Sequence, residues 1–208
     1  MLTVKENVQC GCCGKEIAIV FPQSTYIGNY GLDLRPEYEY QLREVYECPF
    51  CHYCSTQIHI KISENIKRIV FSEKYQEIME RKIDQKDRRI KAAAKLADTI
   101  HEKIELYLTS CWYLEFQNRM PEADAMRRKA VSFMEKEIEG CPSIELIITY
   151  LDSLRQLGEF QKCREVIYEI DSLVEQEIDS NENIYKIFQL EKKLCREKEK
   201  RNYFISEV

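Results

Sequence analysis

Cys-x-x-Cys occurs twice in the first quarter of the chain, as Cys10-Gly11-Cys12-Cys13 leading into Gly14-Lys15 and as Cys48-Pro49-Phe50-Cys51 leading into His52-Tyr53. Two such knuckles bring four thiolates together. That is the ligand set of a tetrahedral zinc ion, which binds sulfur at about 2.3 Å while the turn's backbone N–H groups point at the sulfurs. Gly14 supplies the positive φ that closing the first turn calls for, and Pro49 stiffens the second. Cys10, Cys13, Cys48 and Cys51 are therefore read as the ligands of a structural zinc, the one cofactor expected. A catalytic zinc would keep an open coordination position. An iron–sulfur cluster is suggested only by Cys48-x-x-Cys51-x-x-Cys54, without the rest of a ferredoxin spacing. Cys12 and Cys54 are surplus thiols, Cys51 with Cys54 is an alternative knuckle, and the role of His52 stays open.

The elements that must carry these knuckles are short. Residues 1–62 hold four of the six glycines and three of the five prolines, with many aromatic and β-branched residues, which is strand and turn chemistry. Ile17 to Phe21 reads as one strand and Leu42 to Glu47 as another, with a Tyr-rich excursion from Pro22 to Tyr40 between them. From about Ser72 the composition turns to Glu, Lys, Arg, Leu and Ile, and the apolar period changes from 2 to 3.6. The expected architecture is mainly α: a small β zinc-ribbon-like module over 1–62, then tetratricopeptide-like antiparallel helical hairpins over 63–208.

Within the helical part, Leu96, Ile100, Ile104, Tyr107, Cys111 and Leu114 form one predicted stripe, and Ala123, Met126, Ala130 and Phe133 a second. Gly140 and Pro142 stop a helix, Ser143 caps the next, Gly158 ends it, and two more helices follow. Placing Asn118 over Gly158 puts Tyr107 over Ile147, Cys111 over Leu151, Leu114 over Leu154 and Ala123 over Cys163. This is a repeat of 40 residues, longer than the usual tetratricopeptide period of about 34. In that register the first helix of each pair lines a concave groove through Glu105, Leu108, Trp112 and Glu115, then Glu145, Ile148, Asp152 and Arg155. Exposed there, Glu115 and Arg155 should each be replaceable for less than about 1 kcal/mol, and Trp112 could anchor a partner.

The opening Cys-Gly-Cys-Cys-Gly-Lys, the segment Asp33-Leu34-Arg35-Pro36-Glu37-Tyr38, the second knuckle from Tyr46 to Tyr53 and the helical repeats together resemble the bacterial family catalogued as domain of unknown function 2225. The resemblance implies a cytoplasmic protein with a zinc-ribbon-like head and tetratricopeptide-like helices, and brings no established activity. The chain departs from the family pattern by carrying His52 where glycine usually follows the second knuckle, and by Cys12 and Cys54.

Composition narrows the function. The 31 Lys and Arg against 36 Asp and Glu give a net charge of −5, which disfavours nucleic acid as a partner. A local basic stretch, Ile66 to Lys95, carries ten cations against five acids, while Glu165 to Glu182 carries seven acids and no base. No apolar run reaches membrane-span length. The first six residues do not read as a secretory signal, so cytoplasm is the expected compartment. His52, His59 and His101 form no catalytic motif, and neither a phosphate-cradling glycine loop nor Gly-x-Ser-x-Gly is present. The expected function is a non-enzymatic, zinc-binding interaction module with a protein partner. The alternatives are a thiol/zinc redox sensor, in which Cys12 or Cys54 meets the oxidant, and a nucleic-acid-binding ribbon.

Overall fold

A computed structural model describes residues 3–22, 28–80, 84–140, 143–177 and 182–208. The chain is mainly α, with a small β region at its start. Strands β1 (Thr3–Gln9) and β2 (Glu16–Pro22) pair antiparallel, Val8 opposite Ile17, and the first knuckle is their turn. The second knuckle joins β3 (Tyr46–Glu47) to β4 (Cys54–Ser55) in a two-rung antiparallel ladder. The strand expected over Leu42 to Glu47 thus shrinks to its last two residues. Leu42 instead closes a single 3₁₀ turn, Glu39–Gln41. Strand β1 was not expected, because Lys5, Glu6 and Asn7 break its apolar pattern and only its partner β2 selects the extended form.

Eight helices follow among the described residues: α1 (Glu64–Val70), α2 (Glu73–Glu80), α3 (Gln85–Leu96), α4 (Ile100–Phe116), α5 (Met120–Gly140), α6 (Ile144–Leu157), α7 (Phe160–Glu177) and α8 (Glu182–Glu197). Helix begins before Ser72, since the Ser63 hydroxyl accepts from the Ile66 amide and starts α1. The predicted stripe from Leu96 to Leu114 is divided between two helices. Chain leaves α3 at Ala97, and the Thr99 hydroxyl accepts from the Glu102 amide to open α4. Ser143 caps α6 as expected; Pro142 of the predicted stop lies outside the described residues, as do the side chains of Leu173 and Val174.

The repeat is visible in the helix ends. Asn118, Gly158 and Lys198 all have positive φ, at 57°, 80° and 56°. At each, the turn is closed by the same two amide bonds, such as Asn118 to Glu115 and Arg119 to Leu114, then Gly158 to Arg155 and Glu159 to Leu154. Lys198 to Cys195 and Glu199 to Leu194 complete a third copy. Leu114, Leu154 and Leu194 are buried at the matching core position. Helices α4 and α5 pack as one hairpin and α6 and α7 as the next, with α8 against both α6 and α7. One continuous set of buried apolar residues runs from Cys10 of the first knuckle to Cys195 of α8.

After Lys198 the tail returns to the N-terminal excursion. The Leu32 amide donates to the Tyr203 carbonyl and the Ile205 amide to the Tyr30 carbonyl, and Gly31 forms a bridge with Phe204. The cap positions give the first test. Lys198→Gly and Asn118→Gly should keep or raise stability by up to about 1 kcal/mol, whereas Gly158→Ala should lower it by about 1–2 kcal/mol, because only glycine enters the left-handed region freely. Urea unfolding measures this; a loss in Lys198→Gly equal to that in Gly158→Ala would rule out the shared turn.

Candidate metal centre

Each knuckle is a turn tied off by its own backbone. The Cys10 amide donates to the Lys15 carbonyl and the Gly14 amide to the Cys10 carbonyl; in the second, Cys48 donates to Tyr53 and His52 to Cys48, all at 2.8–2.9 Å. His52 therefore occupies the position that Gly14 holds in the first turn, and both have positive φ, 59° and 73°. The His52 ring turns away from the sulfurs, its Nδ1 lying 2.8 Å from Glu47 Oε1. It is not part of the ligand cluster.

Pairing the two hairpin tips brings the sulfurs of Cys10, Cys13, Cys48 and Cys51 within 4.8 Å of one another. Cys10 Sγ lies 3.8 Å from Cys51 Sγ, and Cys13 Sγ 3.7 Å from Cys48 Sγ. A tetrahedral ion bonded to four sulfurs at about 2.3 Å requires about 3.8 Å between them, while a disulfide would need about 2.05 Å. The spacing thus fits a metal and not a bridge. Cys10, Cys48 and Cys51 are buried, and Cys13 is half-buried. Burial raises the Cys10 thiol to about 11 and Cys51 further. At Cys13 burial also works upward, but the Lys15 amide and the neighbouring thiols bring it below its ordinary value. Four ionised sulfurs in so small a volume need a cation, and soft thiolates in a tetrahedron select zinc or iron.

The second knuckle is bolted to the helices by residues the sequence did not single out. Tyr75 of α2 donates to the His52 carbonyl at 2.9 Å, and the Gln76 side chain to the Cys51 carbonyl at 3.1 Å. Arg88 of α3 pairs with Glu47 at 3.1 Å. No local pattern marks these contacts, since all join residues more than twenty positions apart. The surplus thiols sit beside the cluster: Cys54 is buried, raised to about 12 first by burial, and Cys12 is buried and raised for the same reason.

The predicted groove is corrected at its deeper end. Glu105 and Glu145 lie at the surface and Leu108 borders a cavity, but Trp112, Ile148, Asp152 and Arg155 are buried, the last two completely, and the Glu115 side chain is largely covered. The excursion and the tail fill the concave face. Asp33, fully buried, accepts from Arg127 at 2.8 Å, from the Trp112 indole at 2.9 Å and from the Arg35 amide at 3.0 Å. Burial would raise its carboxyl, yet Arg127 outweighs that and holds it below the ordinary range. Glu115 takes the other side of Arg127. Around Arg155 stand Asp152 and Glu191, while the guanidinium also donates to the Glu199 and Arg201 carbonyls of the tail. Burial, then the Asp152 charge, pushes Glu191 well above its usual value, while Arg155 works against both. The hint of a filled groove was Arg127, set among the stripe residues Ala123, Met126 and Ala130 where a surface cation does not belong.

Comparisons of the chain with protein-family models, curated proteins and solved structures find no match.

Two outcomes follow. Gly14→Val should cost more than about 1 kcal/mol, whereas His52→Gly, which relieves the left-handed residue while giving up the Glu47 contact, should stay within about 1 kcal/mol of the parent and keep the sulfur cluster. Equal losses in urea unfolding would show that the two turns are not equivalent. Arg155→Ala should cost about 3–5 kcal/mol, since it strands Asp152 in the interior; a value below about 1 kcal/mol would restore the open groove.

Proposed function

We propose that this chain is a non-enzymatic, zinc-stabilised binding protein of the cytoplasm, and that it belongs to the family its knuckles and repeats resemble. The observation that carries the zinc is the sulfur spacing, 3.7 and 3.8 Å across the two knuckles, which suits a closed four-thiolate structural site. With metal held by Cys10, Cys13, Cys48 and Cys51, the two hairpin tips become one rigid head. That head carries the excursion which lies over α4 and α6.

The competing readings find less support. A redox sensor needs an accessible thiolate, and Cys12 and Cys54 are both buried, which raises their thiols. A nucleic-acid ribbon needs free cations, yet Lys86, Arg88, Arg89 and Lys91 of the basic stretch pair with Glu39, Glu47, Glu44 and Asp87. A protein partner, expected from the repeats, finds only the upper part of the groove open.

Protein purified from zinc-replete cells should carry close to one zinc per chain, with an X-ray absorption signature of four sulfurs at about 2.3 Å. Cys48→Ser with Cys51→Ser should carry none. Chelation should loosen β1 to β4 and lower the melting temperature while helical circular dichroism persists. Metal-free wild-type protein, or zinc retained by the double variant, overturns the assignment; iron in place of zinc changes the metal and keeps the ligands.

A further inference from the structure

The filling of the groove is incomplete. Between the excursion and helices α4 and α6 remains a cavity of ≈ 460 Å³, in the range of small-ligand sites and far larger than ordinary packing gaps. Its body is apolar: Leu42, Ile104, Leu108, Trp112 and Leu146, closed on the excursion side by Leu34. The indole of Trp112 is held as a fixed wall, because its N–H is spent on Asp33.

Among the charged residues of the lining, acids outnumber bases. Glu105, Glu137 and Glu145 line the cavity together with His101 and Arg43. Arg43 is engaged by Glu105, which leaves Glu137 and Glu145 with no cation but the imidazole among the described residues. Glu137 Oε1 lies 3.4 Å from His101 Nδ1, while its Oε2 is buried without a hydrogen-bond partner, and Gln41 Nε2 on the opposite wall is likewise buried without one. A buried carboxylate oxygen lacking a donor costs stability unless a ligand supplies one. Anions would meet these carboxylates; a cation is complementary to them.

We propose that this cavity binds a compact amphipathic organic cation, its aromatic or aliphatic body between Trp112 and Leu108 and its ammonium group donating to Glu137. The excursion and tail block the groove on either side of this opening, so an extended peptide has no continuous track and a small molecule does. This rests on the reading of the chain as a binding protein, but it does not depend on the metal being zinc.

The sole tryptophan lines the site, so its fluorescence reports occupancy directly. The probes are 4-phenylbutylamine and its neutral and anionic counterparts of like shape, 4-phenylbutanol and 4-phenylbutyrate. The amine should shift Trp112 emission saturably and bind at least about tenfold tighter than the carboxylate, a difference of about 1.4 kcal/mol. Glu137→Gln should shrink the preference of amine over alcohol at least threefold without altering the melting temperature by more than a few degrees. Leu108→Phe should weaken binding at least tenfold by narrowing the cavity while leaving Trp112 the sole reporter; should that variant not fold, Leu34→Phe, a change on the half-exposed excursion wall, serves the same purpose. Equal or tighter binding of the carboxylate, no saturable response to any probe, or an unchanged preference in Glu137→Gln overturns the proposal. Zinc measured on the same preparation separates the two readings, since a metal-free protein that still selects the amine fails only the zinc assignment.

Discussion

The buried ion pair between Asp33 and Arg127 is the constraint on which the arrangement of this molecule rests. Both side chains are withdrawn from water, at 0% and 1% exposure. A pair so placed holds only when every remaining donor and acceptor is met. Here the indole of Trp112, the amide of Arg35 and the carboxylate of Glu115 meet them. Because Asp33 belongs to the excursion, Trp112 to α4 and Arg127 to α5, the charges cannot be paired unless the excursion lies across the first helical hairpin. That position in turn presents Tyr30 and Gly31 for bridging to the tail, and sets Leu34 over the cavity.

A second buried set does the same one repeat later. Arg155 stands where Glu115 stands in the first hairpin, and it draws the tail down through the carbonyls of Glu199 and Arg201. In a repeat array the concave face is ordinarily left open because identical neighbours have no reason to cover it. Here the matching position in successive hairpins carries opposite charges, and each recruits a different stretch of chain. The result is a groove reduced to a pocket.

The sulfur cluster is coupled to this framework through Glu47, which faces His52 on one side and Arg88 of α3 on the other. Three cations of the basic stretch are taken up by Glu39, Glu44 and Glu47 of the head. Part of the charge asymmetry visible in the chain therefore serves the contact between head and helices. Continuity of the apolar core from Cys10 to Cys195 makes the head and the helices mechanically dependent on one another.

Local chemistry made much of this legible from the residues alone. The four clustered cysteines, the caps at Ser143 and Gly158, and the period that places Leu114 over Leu154 all follow from short spacings, where turn geometry and helical pitch leave few choices. Helix breaks at Ala97 and the extended form of β1 were less clear, because each is decided by a partner element. Where Asp33, Arg127 and Glu191 reside was not legible, since their contacts span 94 residues for Asp33 with Arg127 and 36 for Arg155 with Glu191. A charged side chain on a helix face reads as solvated until the chain brings an opposite charge to it. Sequence by itself thus determined the sulfur knuckles and the repeated hairpins, which are short-range. Only the tertiary structure decided that the groove is closed, because burying a charge is tolerable solely where a distant residue completes its hydrogen bonds.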